Sequence, residues 1–522
     1  MSGKAEDRDL ILAIDNGTQS LRALAFDLAG NLIGKTQVKL GGYFSHQPGW
    51  LEHEAEGFWQ ALCQACGQLW DLGIDRTRLA GMVVTTQRAT VIALDRQARP
   101  VRPAIIWPDQ RRARPELAVP APMRLLFRGL GLTGAIKGLE AECEARWMAQ
   151  NEPDNWSRVY KWLLLSGYLN HRLTGRFADA VGSQVGYIPF DYKKLGWAAS
   201  GDWRWPLLGI GRAMLPELLP AGSVIGRVSA EAAGESGIPE GLPVIAGASD
   251  KACEVLGSGC LTPDVASISC GTMASVNITT PRYFEAIARA PAYPAALPGQ
   301  YNAEVPLTRG YWMVSWFAEQ FGQLEKQRAA GEGRPVEALF DELVESTPPG
   351  AQGLMLQPYW NAGVGEPGPE ARGTVIGFTD SHTRAHLYRA IIEGLAYGLR
   401  EGREKIETKS KVPITLLRVA GGGSQSDAVM QILADVMNVP AERPEQFEAS
   451  GLGAALIGAV GLGRHPDFPT AVAAMVRPGR RFEPDPSSAA LYDRLYRQVY
   501  ARLYNQLRPL YHALREAGAS AR

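Results

Sequence analysis

Two short turns carry residue types that hold phosphate. Asp15 ends the apolar run "LILAI", Asn16-Gly17-Thr18-Gln19-Ser20 turns the chain, and a second strand-like run, "LRALAFDL", follows. The same order of strand, Gly-Thr turn and strand returns in "VASISCGTMASVNITT", around Gly271 and Thr272. Glycine lets the backbone come close at such a turn, and its N–H groups and the adjacent hydroxyl form a nest for anionic oxygens. An acid at the strand end, Asp15, would repel phosphate unless a Mg²⁺ ion lay between them. A hairpin with polar turn residues explains either turn alone. The repeat favours phosphate and suggests two domains built on one plan.

Three further segments carry chemistry. In "AGASDKACEVLGSG", Asp250 follows a buried strand and opens a helix. A carboxylate there can take a proton from an alcohol, or it can simply cap the helix. In "AGGGSQSDAVMQI" a strand runs into glycines and then a helix, a turn able to bring N–H groups and a helix N-terminus to a nucleotide phosphate or ribose. It is neither a Gly-Lys-Ser/Thr loop nor G-x-G-x-x-G, and a plain tight turn would look the same. Finally, "TTQRATVIALD" and "RPAIIWPDQRR" place Gln87, Arg88, Trp107 and Asp109 after strands. A flat apolar face beside donors and acceptors suits a polyhydroxylated ligand.

The elements that must position these residues read as mixed α/β layers. Residues 10–14, 21–28 and 32–38 are predicted strands joined by tight turns, followed by a helix in "HEAEGFWQALCQACGQLWDLG". From about Ile245 the pattern of strand, turn and helix starts again. "ASGLGAALIGAVGLG" is shorter than the roughly 18 apolar residues of a membrane span, and its glycines and alanines predict a helix packed closely on a neighbour. The Tyr/Leu stripe of "ALYDRLYRQVYARLYNQLRPLYHALREAG" reads as a core-facing helix.

A chain of 522 residues is too long for one core, so two domains are expected. With 54 basic and 54 acidic side chains, no whole-protein field draws in nucleic acid or an anionic membrane, and neither partner is expected. Six cysteines are too few for a disulfide framework. Cys63 and Cys66 form a C-x-x-C inside the predicted first helix, without the second pair or nearby histidines of a zinc site, and read as packed thiols. "MSGKAEDRDL" holds no signal-peptide apolar segment, and a cytoplasmic location is expected.

In this order and at these separations, the segments resemble the FGGY family of carbohydrate kinases, from about Leu10 to about Gly463. "DNGTQSLRA" and "SCGTMAS" look like its two phosphate motifs, and "GASDKACEVLGSG" like the segment with its catalytic aspartate. "YWNAGVGEPGPEARGTVIGF" with "HLYRAIIEGLAYGLR" resembles its C-terminal signature, and "GGGSQSDAVMQILADVM" its adenosine-binding segment. The resemblance implies a two-domain actin-like/hexokinase fold with ATP, Mg²⁺ and a sugar in an interdomain cleft. The implied division is 8–246 for sugar binding, 247–475 for nucleotide binding and 476–522 as a helical tail on the second domain. Carried over by position, Asp15 would hold Mg²⁺ through water. Thr18, Gln19 and Ser20, with Arg22 close by, would lie near the β- and γ-phosphates. Gly271 and Thr272 would clasp phosphates, while Gly310, Gly422, Gly423 and Asp427 would approach the nucleotide. Asp250 would be the general base, and Gln87, Arg88, Trp107 and Asp109 would line the sugar. The family is often dimeric, so the resemblance leaves a homodimer possible, while the sequence itself does not give the oligomeric state.

Substrate choice is less direct. "TTQRAT" is similar to the glycerol-kinase segment in which Gln-Arg-Glu holds a polyol, but Ala89 stands where that glutamate would be. "WPDQRR" is nearer the Trp-x-Asp-x-Arg of the sugar-kinase branch, although xylulose kinases typically carry Met-His where Arg88-Ala89 stand here. A five-carbon ketose such as xylulose or ribulose is the favoured acceptor, with glycerol or another short polyol as alternative. Of a different class would be an actin-like ATPase or a non-catalytic nucleotide-binding regulator.

Overall fold

The computed structural model describes residues 8–334, 336–360 and 367–520. The strand Leu10–Asn16 is buried along its whole length. It pairs antiparallel with Ser20–Asp27 and parallel with Leu79–Thr86, which sets Asp15 between Arg22 and Thr85. The full mixed sheet runs Val224–Arg227, Pro243–Ile245, Leu79–Thr86, Leu10–Asn16, Ser20–Asp27, Leu32–Lys39. A central strand buried on both faces needs a helix on each. One is Ala55–Asp71, the predicted first helix, whose Phe58, Trp59, Leu62 and Leu69 join Leu10, Leu12 and Ile14 in one core. The other is Ala449–Gly461, so close that a Cβ on Gly458 would stand 2.8 Å from Ile11 Cγ2.

The expected close packing of that glycine- and alanine-rich helix is found against Asp250–Gly257. A Cβ on Gly257 would stand 1.9 Å from the Ala449 carbonyl oxygen, and one on Gly453 would stand 1.9 Å from that of Cys253. At each of these contacts a glycine lets its helix lie directly against the backbone of the other.

By packing, the chain forms two compact units. The first comprises residues 8–257, Tyr293–Tyr301 and Glu448–Val476; the second comprises the described parts of Ser258–Ala292, Asn302–Phe447 and 477–520. A cut at 246/247 follows chain order, whereas packing follows contacts: the helices Asp250–Gly257 and Ala449–Gly461 both belong with the first unit.

In the second unit Val265–Cys270 pairs antiparallel with Ala274–Thr280 and parallel with Leu416–Ala420, the layout of the first sheet repeated. The 27-residue helix Arg384–Ser410 packs against this sheet and against the C-terminal segment. That segment is Pro486–Leu495, a π turn at Tyr496–Tyr500, and Ala501–Ser520. Its stripe is core, as predicted: Tyr492 and Tyr500 are buried, and Tyr496 and Tyr500 lie against Tyr397.

None of the six cysteines is in a disulfide, and only Cys63 is more than marginally accessible. Burial pushes the Cys63, Cys143 and Cys253 thiols up to about 12, and raises Cys66 further. Among the described residues no helix is long and apolar enough to cross a membrane.

Candidate functional site

In the first unit, the Gly17–Ser20 turn closes with a hydrogen bond from Gly17 N to Ser20 O of 3.1 Å. Three of the predicted segments converge on Thr18. Its hydroxyl donates to Gln87 Oε1 at 2.9 Å and accepts from Trp107 Nε1 at 2.8 Å. The Tyr43 hydroxyl donates to its carbonyl. Gln87 is fixed by a bond from its own N–H to Asn16 O, 2.8 Å, yet its buried Nε2 has no hydrogen-bond partner. An amide donor kept unpaired beside an exposed indole is suited to a ligand hydroxyl. Gln19 is exposed, whereas Ser20 is buried and its hydroxyl accepts from Gln37 Nε2 at 3.0 Å.

Asp15 is 4 % exposed. Burial pushes its carboxyl up to about 7, Asp250 and Glu448 add to this, and Arg22, whose Nη1 lies 3.1 Å from Oδ2, opposes it. Asp250 opens its helix as expected, with Oδ1 accepting the Lys251 N–H at 2.7 Å. Burial also raises its carboxyl, while Arg88 and Lys251 pull it down. Carboxylates are hard oxygen donors, and the Asp15 carboxyl, raised by burial and by the Asp250 charge, is suited to a divalent cation. Among the described residues no group of three or more His, Cys, Asp or Glu side chains gathers to hold a metal. An ion here would need water or phosphate oxygens to complete its shell.

Arg88 lies beside Asp250. Its Nε donates to Ser249 Oγ at 3.4 Å, and its guanidinium lies 4.9 Å from the centre of the Tyr293 ring. Asp109 is turned elsewhere: Oδ1 accepts from Arg111 N and Nε, both at 2.8 Å, and Oδ2 from Leu51 N at 2.6 Å and Arg111 Nη2 at 2.7 Å. Arg111 is in turn held between Trp50 and Trp147. The structure thus brings Gln87 and Trp107 to Thr18 and Arg88 to Asp250, and gives Asp109 four donors of its own. Sequence reading missed Tyr43, Ser249, Tyr293 and Glu448; none lies in a pattern that marks it.

The raised Asp15 carboxyl has a measurable consequence. Between the unfolded value near 4 and the folded value near 7 the native state holds its proton more tightly than the unfolded chain, so stability falls as pH rises through this window and is level above it. Asp15→Asn removes the titration. Without ligands the variant is expected to melt several degrees above the parent at pH 8, with the gap closing toward pH 4–5. Equal melting temperatures at both pH values would show that Asp15 is not held in a desolvated site.

In the second unit, the Gly271–Met273 turn meets two glycine segments. Gly310 N donates to Thr272 O and Tyr311 N to Gly271 O, both at 3.0 Å. A Cβ on Gly310 would stand 2.4 Å from Ala274 N. Gly421, at φ +89°, backs onto Cys270, and a Cβ on Gly423 would stand 2.7 Å from the Tyr311 ring. Gly422 has open space where a Cβ would be, so its backbone is reachable. Ser426 caps the helix Asp427–Met437, accepting from Val429 N at 3.1 Å. Asp427, half-exposed, is paired with Arg443 and Arg480. Of the signature beginning at Tyr359, residues 361–366 lie outside the described ones.

Residues 10–257 match the N-terminal domain of the FGGY family of carbohydrate kinases, and residues 266–462 match its C-terminal domain. The chain belongs to the FGGY family of carbohydrate kinases. It is similar to an uncharacterized sugar kinase of Escherichia coli, 31 % identical over 499 residues, covering 94 % of this chain and 93 % of that one. A xylulose kinase of Lactococcus lactis is 31 % identical over 522 residues, with 97 % and 98 % covered. A glycerol kinase of Alkalilimnicola ehrlichii is 31 % identical over 484 residues, with 89 % and 92 % covered. Among solved structures, a xylulose kinase from Rhodospirillum rubrum has a TM-score of 0.81 at 27 % identity, covering 96 % of this chain and 100 % of that one. The fold is therefore the two-domain actin-like/hexokinase fold, and this FGGY kinase is a phosphotransferase with an alcohol acceptor that uses ATP on a small sugar or polyol. The actin-like ATPase reading falls with that membership.

Proposed function

We propose that this FGGY kinase transfers the γ-phosphoryl group of ATP to a hydroxyl of a five-carbon ketose, with Asp250 as general base. The supporting observation is the Thr18 hydroxyl, which joins the phosphate turn to two residues of the sugar wall, Gln87 and Trp107. Asp250 takes the proton of the attacking hydroxyl; desolvation raises its carboxyl, which makes it a stronger base than a free carboxylate. Gln87, Arg88 and Trp107 orient the sugar. Thr18, Gln19, Ser20 and Arg22 serve the terminal phosphates from the first unit. Gly271, Thr272, Gly310, Gly422, Gly423 and Asp427 serve the nucleotide from the second. Mg²⁺, held through water by Asp15, would neutralise charge on the phosphate oxygens.

Ala89 supports the choice of acceptor. The polyol-holding glutamate of glycerol kinases is absent there, and alanine supplies no group to take its place. The similarity to a glycerol kinase sustains glycerol as a second reading. Coupled ADP release over ketopentoses, hexuloses, alditols and glycerol separates the two. A 2-ketopentose is expected to give the highest kcat/KM, at least about tenfold above glycerol, since each lost hydroxyl contact leaves a buried donor unpaired. Glycerol as the best acceptor overturns the ketose reading; no stimulation by any acceptor overturns the base assignment with it.

A further inference from the structure

Asp179 is 1 % exposed and lies outside every motif of the family resemblance. It sits on the short strand Ala178–Ala180 of the first unit. Four donors converge on its carboxylate: Ser166 Oγ at 2.7 Å and Gln184 Nε2 at 2.8 Å on Oδ2, Asn170 Nδ2 at 3.1 Å and Ala180 N at 2.8 Å on Oδ1. Gly167 makes room for it; a Cβ there would come within 3.3 Å of Oδ2. Burial alone raises the carboxyl and the four donors lower it, leaving it at about 6, so it is ionised at neutral pH.

The donors lead back to the site. Ser166 begins the helix Leu165–Thr174, whose Leu165 N donates to Thr90 O at 3.0 Å. Gln184 lies in the 181–186 loop, whose Val185 O accepts from Ala89 N at 2.9 Å and whose Gly182 O accepts from Ser249 N at 3.0 Å. These three backbone bonds fix Ala89 and Thr90, next to Arg88, and Ser249, next to Asp250. One buried carboxylate therefore ties together the two elements that grip the sugar wall and the base. Thr85 Oγ1 donates to Ala248 O at 2.9 Å, so the base is also supported from the central sheet.

We infer that Asp179 is a positioning residue for phosphoryl transfer: through Ser166 and Gln184 its carboxylate sets the distance between the Arg88 wall and Asp250. This rests on the roles proposed above for Arg88 and Asp250. Displacing either element by about 1 Å costs on the order of 100-fold in rate, because the reacting hydroxyl and its base must be held in register. Asparagine at 179 keeps one acceptor oxygen where the carboxylate has two, so the four-donor cradle loses at least one bond and must rearrange.

The test is steady-state kinetics of Asp179→Asn and Gln184→Ala with the best acceptor from the ADP-release screen, beside Asp250→Asn. Asp179→Asn is expected to lower kcat by about tenfold to 100-fold and to raise the sugar KM, with the ATP KM within about twofold of the parent. Gln184→Ala, which keeps the buried charge, is expected to move the sugar KM in the same direction. The reciprocal pair Asp179→Asn with Asn170→Asp restores one carboxylate facing one amide and is expected to recover most of kcat, which a general loss of folding would not allow. Asp179→Asn within twofold of the parent, or a loss shared equally by the ATP KM, overturns the inference while leaving the Asp250 assignment intact. Turnover surviving in Asp250→Asn overturns that assignment instead, whatever Asp179→Asn does.

Discussion

Asp250→Asn is expected to lower kcat by about 1,000-fold, with KM for sugar and ATP within a few-fold of the parent. General base catalysis by one positioned group contributes about 100-fold to 10,000-fold. The asparagine is nearly the same shape, and its oxygen can still accept the Lys251 N–H, so the substrate-binding groups stay in place. Asp250 is half-buried, desolvation raises its carboxyl, and its charge in turn raises Asp15. Removing its charge therefore relieves desolvation at neutral pH, and the variant is expected to melt no lower than the parent. A variant that loses activity but melts several degrees lower would mean the residue is structural. One retaining more than a tenth of kcat would move the base elsewhere.

Gly453→Ala is expected to be among the most damaging single substitutions in the first unit. The new Cβ would stand 1.9 Å from the Cys253 carbonyl oxygen, and backbone cannot yield as a side-chain end can. The helices Asp250–Gly257 and Ala449–Gly461 must separate along their contact, at a cost of about 3 kcal/mol or more. For units of this size that lowers Tm by roughly 6–12 °C. Gly138→Ala is the control: its helix, Thr133–Ala141, has nothing within 4 Å of the added methyl, and helix propensity alone should make it neutral or slightly stabilising. Calorimetry of both variants checks the contrast. A Gly453→Ala protein melting within 2 °C of the parent would mean that the contact relaxes freely. Because Cys253 lies in the first turn of the helix that Asp250 begins, the same substitution is expected to lower kcat as well.

The parts of the site that were legible in the sequence are local ones. Asp15 and Thr18 share one turn, Asp250 opens a helix directly after its strand, and the three glycines at 421–423 are adjacent. Each such feature alone also fits a plain turn or cap; they become legible together, because the strand, Gly-Thr turn and strand occur twice and the segments fall in one order. Partners from distant segments were not legible. Tyr43 reaches Thr18 across 25 residues, and Glu448 pairs with Lys35 across 413. Nor does a sequence reveal that Arg111 engages Asp109, or that Arg443 and Arg480 engage Asp427. Asp179 illustrates the same limit: its four donors lie on three elements, and only folding makes them neighbours. The strands and helices themselves were readable from period and turn residues, because in this chain pattern and burial agree.

The thiols described with the fold have a practical side. Alkylation and oxidation proceed through thiolate, and five of the six cysteines are buried while Cys63, the most accessible, is held near 12. The enzyme is in effect unlabelled ground for thiol chemistry. A cysteine introduced on an exposed loop would react with a maleimide dye well before any native one, so a fluorescent reporter of substrate-driven motion could be attached without first removing the native sulfurs.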